Sequence, residues 1–186
     1  MSASATKVRF PEQSRWFVNI LSAGMGGLVV RYVGSMSRVL GGRAAYYWAS
    51  VRALARCQRG RLRCDVSLDG ERERRQVDAF LIAICNGRYF GGGMHVAPMA
   101  KVDDGRFEVV SIDAPSKLAF PEFSKHIYKG THLSRPGAQH FACDRIAIDI
   151  ENERARDVFL LDIDGEPLGG LPLDVEVVPR ALSVLA

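Results

Sequence analysis

A chain of 186 residues is long enough for one domain with a substantial core and too short for two comfortable ones. Hydrophobic residues make up 47% and charged residues 25%, which excludes the disordered and fibrous classes. The formal net charge of +4, with basic residues gathered near Arg52 to Arg63 and Arg72 to Arg75, permits contact with phosphates or an anionic membrane surface. It lacks the dense basic face with interleaved aromatics of a nucleic-acid binder, so no nucleic-acid partner is expected.

In chain order, Trp16 to Ile20 is a short apolar run rich in aromatic and β-branched residues and predicts a strand. Ser22 to Gly27 breaks it. Apolar residues at Val29, Val30, Val33, Met36, Val39 and Leu40 predict a helix over Leu28 to Leu40, ended by Gly41-Gly42. A second helix is expected over Ala44 to Arg56, with Tyr47, Val51 and Leu54 on one face. The period then changes to two: Leu62, Cys64, Val66 and Leu68 alternate with polar residues up to an Asp69-Gly70 turn. Val77 to Cys85 reads as the returning hairpin strand, apolar enough to be buried on both faces. A strand is predicted at Arg106 to Ile112, helical character at Ser116 to Gly130 broken by Pro121, and strands at Ala142 to Ile150, Val158 to Ile163 and Leu173 to Val178. The sum is α+β and mostly β: a two-layer antiparallel β-sandwich with a few helices at one end.

Cys57, Cys64, Cys85 and Cys143 show no C-x-x-C spacing, so reduced cysteines are expected rather than a zinc site, at least two of them in strands. Met1 to Pro11 lacks an apolar run and no stretch approaches 18 apolar residues. A cytoplasmic protein without signal peptide or membrane span is therefore expected.

Three stretches could carry chemistry. Asn86-Gly87-Arg88-Tyr89-Phe90-Gly91-Gly92-Gly93 follows a buried strand, and its glycines suit close approach to a ligand or a wide irregular connection. It is not a Walker or Rossmann phosphate loop, because G-x-x-x-x-G-K-[S/T] and a G-x-G-x-x-G with a following helix are both missing. Asp103-Asp104-Gly105 before a strand is first of all a turn, yet Asp104 with neighbouring carbonyls could ligate a hard cation such as Mg²⁺ or Ca²⁺. Asp164-Gly165-Glu166, followed by Pro167, Gly169-Gly170 and Pro172, suits a hairpin turn. It also suits a partly desolvated carboxylate with a raised pKa, able to act as general base towards a hydroxyl. Asp69-Gly70-Glu71 repeats the triplet in a polar setting and reads as a solvated tip. His132 could meet a ligand phosphate or sit in an ordinary turn.

In this order the motifs resemble the C-terminal domain of the diacylglycerol kinase superfamily, which includes bacterial lipid kinases and sphingosine and ceramide kinases, and more distantly NAD kinases. The strand and turn read F-x-N-x-x-S-x-G at Phe17 to Gly24. A C-N-x-x-x-x-G-G-G stretch runs from Cys85 and an A-P-x-A-x-x-D-D-G segment from Ala97. A Lys-Gly-Thr-His stretch follows at Lys129 to His132, then Asp-Gly-Glu at 164–166 and prolines at 172 and 179. The resemblance covers about Arg15 to Leu185, leaving residues 1–14 as an N-terminal extension or linker before a domain over 15–186.

It implies ATP-dependent transfer of the γ-phosphate to a lipid hydroxyl, on diacylglycerol, a sphingoid base or a related lipid. Glu166 matches the general base. Asp104 matches the side-chain ligand of a structural Mg²⁺ site completed by the carbonyls of Lys101 and Arg106. Asp164 and Gly165, with Gly91, Gly92 and Gly93 near an interdomain cleft, fall on the nucleotide side. The family's G-G-D-G-T nucleotide motif does not occur in these 186 residues. The expected partner is therefore an N-terminal kinase domain in cis or trans, and the chain alone is expected to be inactive. Peripheral membrane contact and self-association are further expectations. A non-catalytic lipid- or membrane-binding module is the alternative, and an NAD kinase-like activity is a third reading.

Overall fold

The computed structural model describes residues 2–9, 14–35 and 42–183. Its elements in chain order are β1 (Ser2–Arg9), β2 (Ser14–Phe17), β3 (Ile20–Gly24), α1 (Met25–Gly34), α2 (Gly42–Arg56), β4 (Gly60–Leu68), β5 (Glu71–Ala79), β6 (Leu81–Cys85), β7 (Tyr89–Phe90), β8 (Met94–His95), β9 (Phe107–Ile112), α3 (Phe120–Tyr128), β10 (Ala138–Cys143), β11 (Arg145–Ile150), α4 (Glu153–Arg156), β12 (Leu160–Ile163), β13 (Glu166–Gly170) and β14 (Leu173–Ser183). Two six-stranded antiparallel sheets result, ordered β2-β1-β14-β11-β4-β5 and β10-β9-β6-β3-β12-β13, beside the small β7-β8 ribbon. The β-sandwich expected from the alternating pattern is therefore present.

Each strand's alternation shows which layer it faces. In β4, Leu62, Cys64 and Val66 point inward while Arg61, Arg63 and Asp65 point out. Leu62, Ile146, Ile148 and Val175 of the first sheet meet Leu21, Ile82, Ile84, Val109 and Leu161 of the second to form the sandwich core. The second sheet is buried on its other face too. There Ile20, Leu81, Ala83 and Ile112 pack with Leu28 and Val29 of α1, Ala49 and Ala53 of α2, and Phe123 and Ile127 of α3. The helices thus cover one sheet as a third layer instead of standing at one end. This double burial explains why β6 reads as a continuous apolar run.

Three predicted strands turn out to be two strands each, because the chain changes sheets at a short break. The Trp16–Ile20 run divides at Val18-Asn19, with β2 in the first sheet and β3 in the second, so Ser22 to Gly24 lie within a strand. The Val77–Cys85 run divides at Phe80 between β5 and β6, and Ala142–Ile150 divides at Asp144 between β10 and β11. The hairpin itself is real: Leu68 pairs with Glu71 across a two-residue turn, with φ 52° at Asp69 and 90° at Gly70.

The first two helices start earlier than predicted. α1 begins at Met25 and its described part ends at Gly34; residues 36–41, on which the predicted helix end falls, lie outside the described residues. Gly42 opens α2 instead of closing α1. The packed face of α2 is Ala45, Ala49 and Ala53, whereas Tyr47 and Val51 are exposed and Leu54 is half-buried. Pro121 sits in the first turn of α3, where its missing N–H costs no helical bond, so it starts that helix and does not break it. Residues 1–14, expected to precede the domain, hold β1, which pairs with β14 on one side and β2 on the other and buries Val8.

Gly27 shows how tightly the helical layer is seated: a Cβ there would collide with the backbone of Leu160 and Leu161, so glycine lets α1 lie directly on β12. All four cysteines are unpaired and buried, Cys64, Cys85 and Cys143 within strands, and burial pushes every thiol upward in pKa. Among the described residues, no helix is long and apolar enough to cross a membrane.

Candidate functional site

Three of the sequence motifs meet at one junction. The Asp164 carboxylate accepts backbone N–H groups from Val18 (3.0 Å), Asn19 (3.2 Å) and Ile20 (2.8 Å), at the break between β2 and β3. Asp164 N–H donates in return to the Ile20 carbonyl at 2.9 Å. Asn19 accepts on its carbonyl from the N–H groups of Asn86 and Gly87, and its side chain donates to the Tyr89 carbonyl at 3.0 Å. Buried Asn86 spends both side-chain protons on the carbonyls of Ser4 and Val18. The F-x-N-x-x-S, C-N-x-x-x-x-G-G-G and Asp-Gly-Glu stretches are therefore parts of one hydrogen-bonded unit. Asp and Asn recur here because short polar side chains can satisfy backbone groups where strands leave their sheet.

Beside this junction lies a cavity of about 900 Å³, lined by α1, α2 and α3 and by β3, β6 and the β7-β8 ribbon. Its lining is mostly aliphatic and aromatic, including Val29, Val33, Val51, Leu54, Leu81, Phe120 and Ile127. The carboxylates in that lining all come from the β12-β13 hairpin: Asp162, Asp164 and Glu166. Gly165 and Gly91 also line it, while Gly92 and Gly93 belong to the adjoining turn with φ of 78° and 99°.

The three carboxylates differ in environment. Glu166 is exposed, so the partial desolvation expected for it is not met in this chain. The desolvated carboxylate is Asp162, 5% exposed, which accepts the Ser22 hydroxyl of the neighbouring strand β3. Burial pushes Asp162 up to about 6, helped by the charge of Asp164 and opposed by hydrogen bonds from Ser22 and the Gly165 N–H. Asp164 is exposed, with its oxygens engaged by the β2-β3 break. Tyr46 of α2 is another polar group in the lining. Burial, then proximity to Tyr128 and Asp162, pushes its hydroxyl up to about 12, so it stays protonated and able to donate.

The candidate cation residues lie elsewhere. Lys101, Asp104 and Arg106 are not among the cavity-lining residues; all three are exposed around the turn that enters β9. Asp104 Oδ1 accepts the Arg106 N–H at 3.1 Å, and the Arg106 guanidinium pairs with Asp69 at 2.8 Å. Among the described residues, no group of three or more His, Cys, Asp or Glu side chains is placed to hold a metal ion. His132 is fully buried, with Nε2 2.9 Å from the Val96 carbonyl, and burial lowers its pKa. It ties the 132–134 turn to the segment at Val96 and is not among the cavity-lining residues.

The sequence reading overlooked Asp162 and the cavity's helical walls. A signal existed for Asp162, an acid inside the apolar run Leu160-Leu161-Asp162-Ile163, where an unpaired charge would be costly. For the walls the signal was the shared face of Tyr47, Val51 and Leu54, all three of which line the cavity.

Residues 19–186 match the model of the YegS C-terminal NAD kinase beta sandwich-like domain. A protein described as "Probable lipid kinase YegS-like" from Chromohalobacter salexigens is 31% identical over 173 residues, covering 92% of this chain and 52% of that one. A diacylglycerol kinase from Mycobacterium tuberculosis H37Rv is 28% identical over 178 residues, with 92% and 52% covered. The crystal structure of a diacylglycerol kinase from Bacillus anthracis strain Sterne superposes with a TM-score of 0.59 at 20% identity, over 97% of this chain and 52% of that one, which shows the shared fold. The chain spans about half the length of the curated relatives it matches.

Proposed function

The chain belongs to the family of YegS C-terminal NAD kinase beta sandwich-like domains, and we propose that it forms the acceptor-binding half of an ATP-dependent lipid kinase. The observation that carries this reading is the 900 Å³ apolar cavity whose carboxylates all come from one hairpin. Its volume suits a lipid-sized ligand, and its side chains suit a hydrocarbon tail rather than a sugar or nucleotide. The relatives' names favour diacylglycerol or a related lipid as acceptor.

In this reading the acyl chain lies along α1, α2 and α3, and the lipid hydroxyl reaches the β12-β13 hairpin. Glu166 is the general base. It takes the hydroxyl proton as the lipid oxygen attacks the γ-phosphorus of ATP, the bond to the bridging oxygen breaks, and ADP leaves. Tyr46 orients the headgroup by donating to an ester or hydroxyl oxygen. Asp164, Gly165 and the Gly91-Gly92-Gly93 turn face the nucleotide, which an N-terminal nucleotide-binding domain supplies in cis or trans. That domain also covers the exposed side of Glu166 and excludes water from the transfer, so the chain alone is inactive.

The Asp104 turn offers an all-oxygen donor set, its carboxylate plus the carbonyls of Lys101 and Arg106, which suits a hard cation such as Mg²⁺. An ion there would clamp the entrance to β9 and leave the cavity chemistry untouched. The expected result is that Mg²⁺ raises the melting temperature of the wild-type chain and not of Asp104→Ala. An equal rise in both would remove Asp104 as a ligand.

The function is tested by phosphoryl transfer from labelled ATP to a lipid panel, with this chain alone and with a family nucleotide-binding domain added. Transfer only in the mixture supports the reading and identifies the acceptor. Association of the halves without transfer to any lipid would favour a non-catalytic lipid-binding module.

A further inference from the structure

The first two helices of the layer carry charge of one sign. From Met25 to Arg56 the sequence has five arginines, at 31, 38, 43, 52 and 56, and no aspartate or glutamate. Of these, Arg31, Arg52 and Arg56 are exposed, and the Arg52 guanidinium lies over the Tyr32 ring at 4.4 Å. Elsewhere the pattern differs: each arginine of β4 has an acidic partner, Arg61 in Asp78 and Arg63 in Asp149. The absence of acids is therefore a property of α1 and α2; α3, in the same layer, carries Glu122.

The polarity of α2 is also inverted. It buries alanines and leaves Tyr47 at 64%, Trp48 at 55% and Val51 at 42% exposure. Tyr47 and Trp48 pack edge-on with centroids 5.9 Å apart, and Tyr47 and Val51 line the cavity as well. The exposed aromatic surface is thus continuous with the cavity rim. Leu118, 90% exposed, extends it on a turn tied to the end of α2 by Lys117 Nζ, which donates to the Ala55 carbonyl at 3.0 Å. A helix normally hides its largest apolar side chains, and a rim that displays them marks an interaction site.

We propose that the outer face of α2, with Leu118, docks on an anionic lipid bilayer and sets the cavity mouth at the headgroup level. Tryptophan and tyrosine rings favour the membrane–water interface, and the exposed arginines complement anionic headgroups. A second copy of this chain fits less well, because a symmetric contact between α2 faces would set arginine against arginine, and α2 carries no acid. The inference deepens the lipid-kinase reading by naming the surface through which the acceptor enters. Its test uses no catalysis, so either idea can fail without the other.

Trp48 serves as the probe in a Trp16→Phe background, with vesicles of phosphatidylcholine alone and of phosphatidylcholine mixed with phosphatidylglycerol. The expected result is co-sedimentation with the mixed vesicles and a blue shift of Trp48 emission that added salt reverses. The Arg52→Glu/Arg56→Glu variant is expected to lower partitioning about tenfold or more, since each basic residue near an anionic leaflet contributes separately. Trp48→Ala is expected to lower it too, with an unchanged melting temperature because the side chain is exposed. Partitioning that ignores lipid charge, or survives both variants, would overturn the proposal. So would a dimer in light scattering that Trp48→Ala dissociates, which would assign the face to a second copy.

Discussion

Glutamine in place of Glu166, in an enzyme assembled from this chain and a nucleotide-binding domain, is expected to lower kcat by about 10²-fold or more, the scale of a positioned general base. Glutamine keeps the shape and loses the ability to take a proton. The KM for lipid is expected to hold, because the apolar lining that binds the acyl chain is untouched. The neighbouring carboxylates are poor substitutes. Asp164 is occupied by three backbone N–H groups, and Asp162 is buried against Ser22. Among the described residues, no side chain hydrogen-bonds or ion-pairs with Glu166, so its carboxylate is available to a substrate. A fall of less than about threefold, with steady-state turnover limited by chemistry, would take the base role from Glu166. A rise in KM with kcat unchanged would make it a binding group.

The sandwich was legible in the sequence because alternation in Leu62, Cys64, Val66 and Leu68, closed by Asp69-Gly70, has few other solutions. The sheet changes at Phe80 and Asp144 were not. At Phe80 the residues on both sides are buried, so the apolar pattern runs through, and at Asp144 the alternation of buried residues resumes within two residues, so neither break records which sheet each half joins. The face shared by Tyr47, Val51 and Leu54 is present, but the spacing did not show that it lines a cavity while the opposite face packs. Periodicity marks a face that differs from its surroundings, and here the alanine face is the packed one because small side chains let the helix lie close to its neighbours. At the site, the resemblance brought Asp164, Gly165, Glu166 and Gly91 into one place, and the structure puts all four in the cavity lining. The desolvation expected of Glu166 depends on whatever covers the hairpin, which the local pattern Asp-Gly-Glu-Pro cannot encode.

The Asp162-Asp164 pair yields the second large effect, read in stability. Asp164→Ala removes the acceptor for three backbone N–H groups at the sheet-changing break. It also places alanine at φ 49°, a left-handed conformation that aspartate and asparagine tolerate better. Because the break is partly open to water, the loss is expected to be about 3 kcal/mol, or a drop in Tm of roughly 10 °C for a domain of this size. Asp164→Gly separates the two causes, since glycine restores the conformation without the acceptor. If Asp164→Gly recovers the wild-type Tm, the carboxylate's hydrogen bonds contribute nothing and the conformation is the whole effect. Asp162 acts with the opposite sign. Its folded pKa of about 6 lies above the ordinary aspartate value of 3.8, so between those values the folded chain holds a proton that the unfolded chain has released. Its contribution is therefore full below about pH 4 and is lost as pH rises through 6, by on the order of 3 kcal/mol. Asp162→Asn is expected to flatten that part of the stability–pH curve while keeping a polar partner for Ser22. Because the Asp164 charge is one cause of the upward shift at Asp162, Asp164→Gly should also move the midpoint of the Asp162-linked loss to lower pH. A midpoint that stays in place would mean that burial alone sets the Asp162 pKa and that the two carboxylates titrate independently.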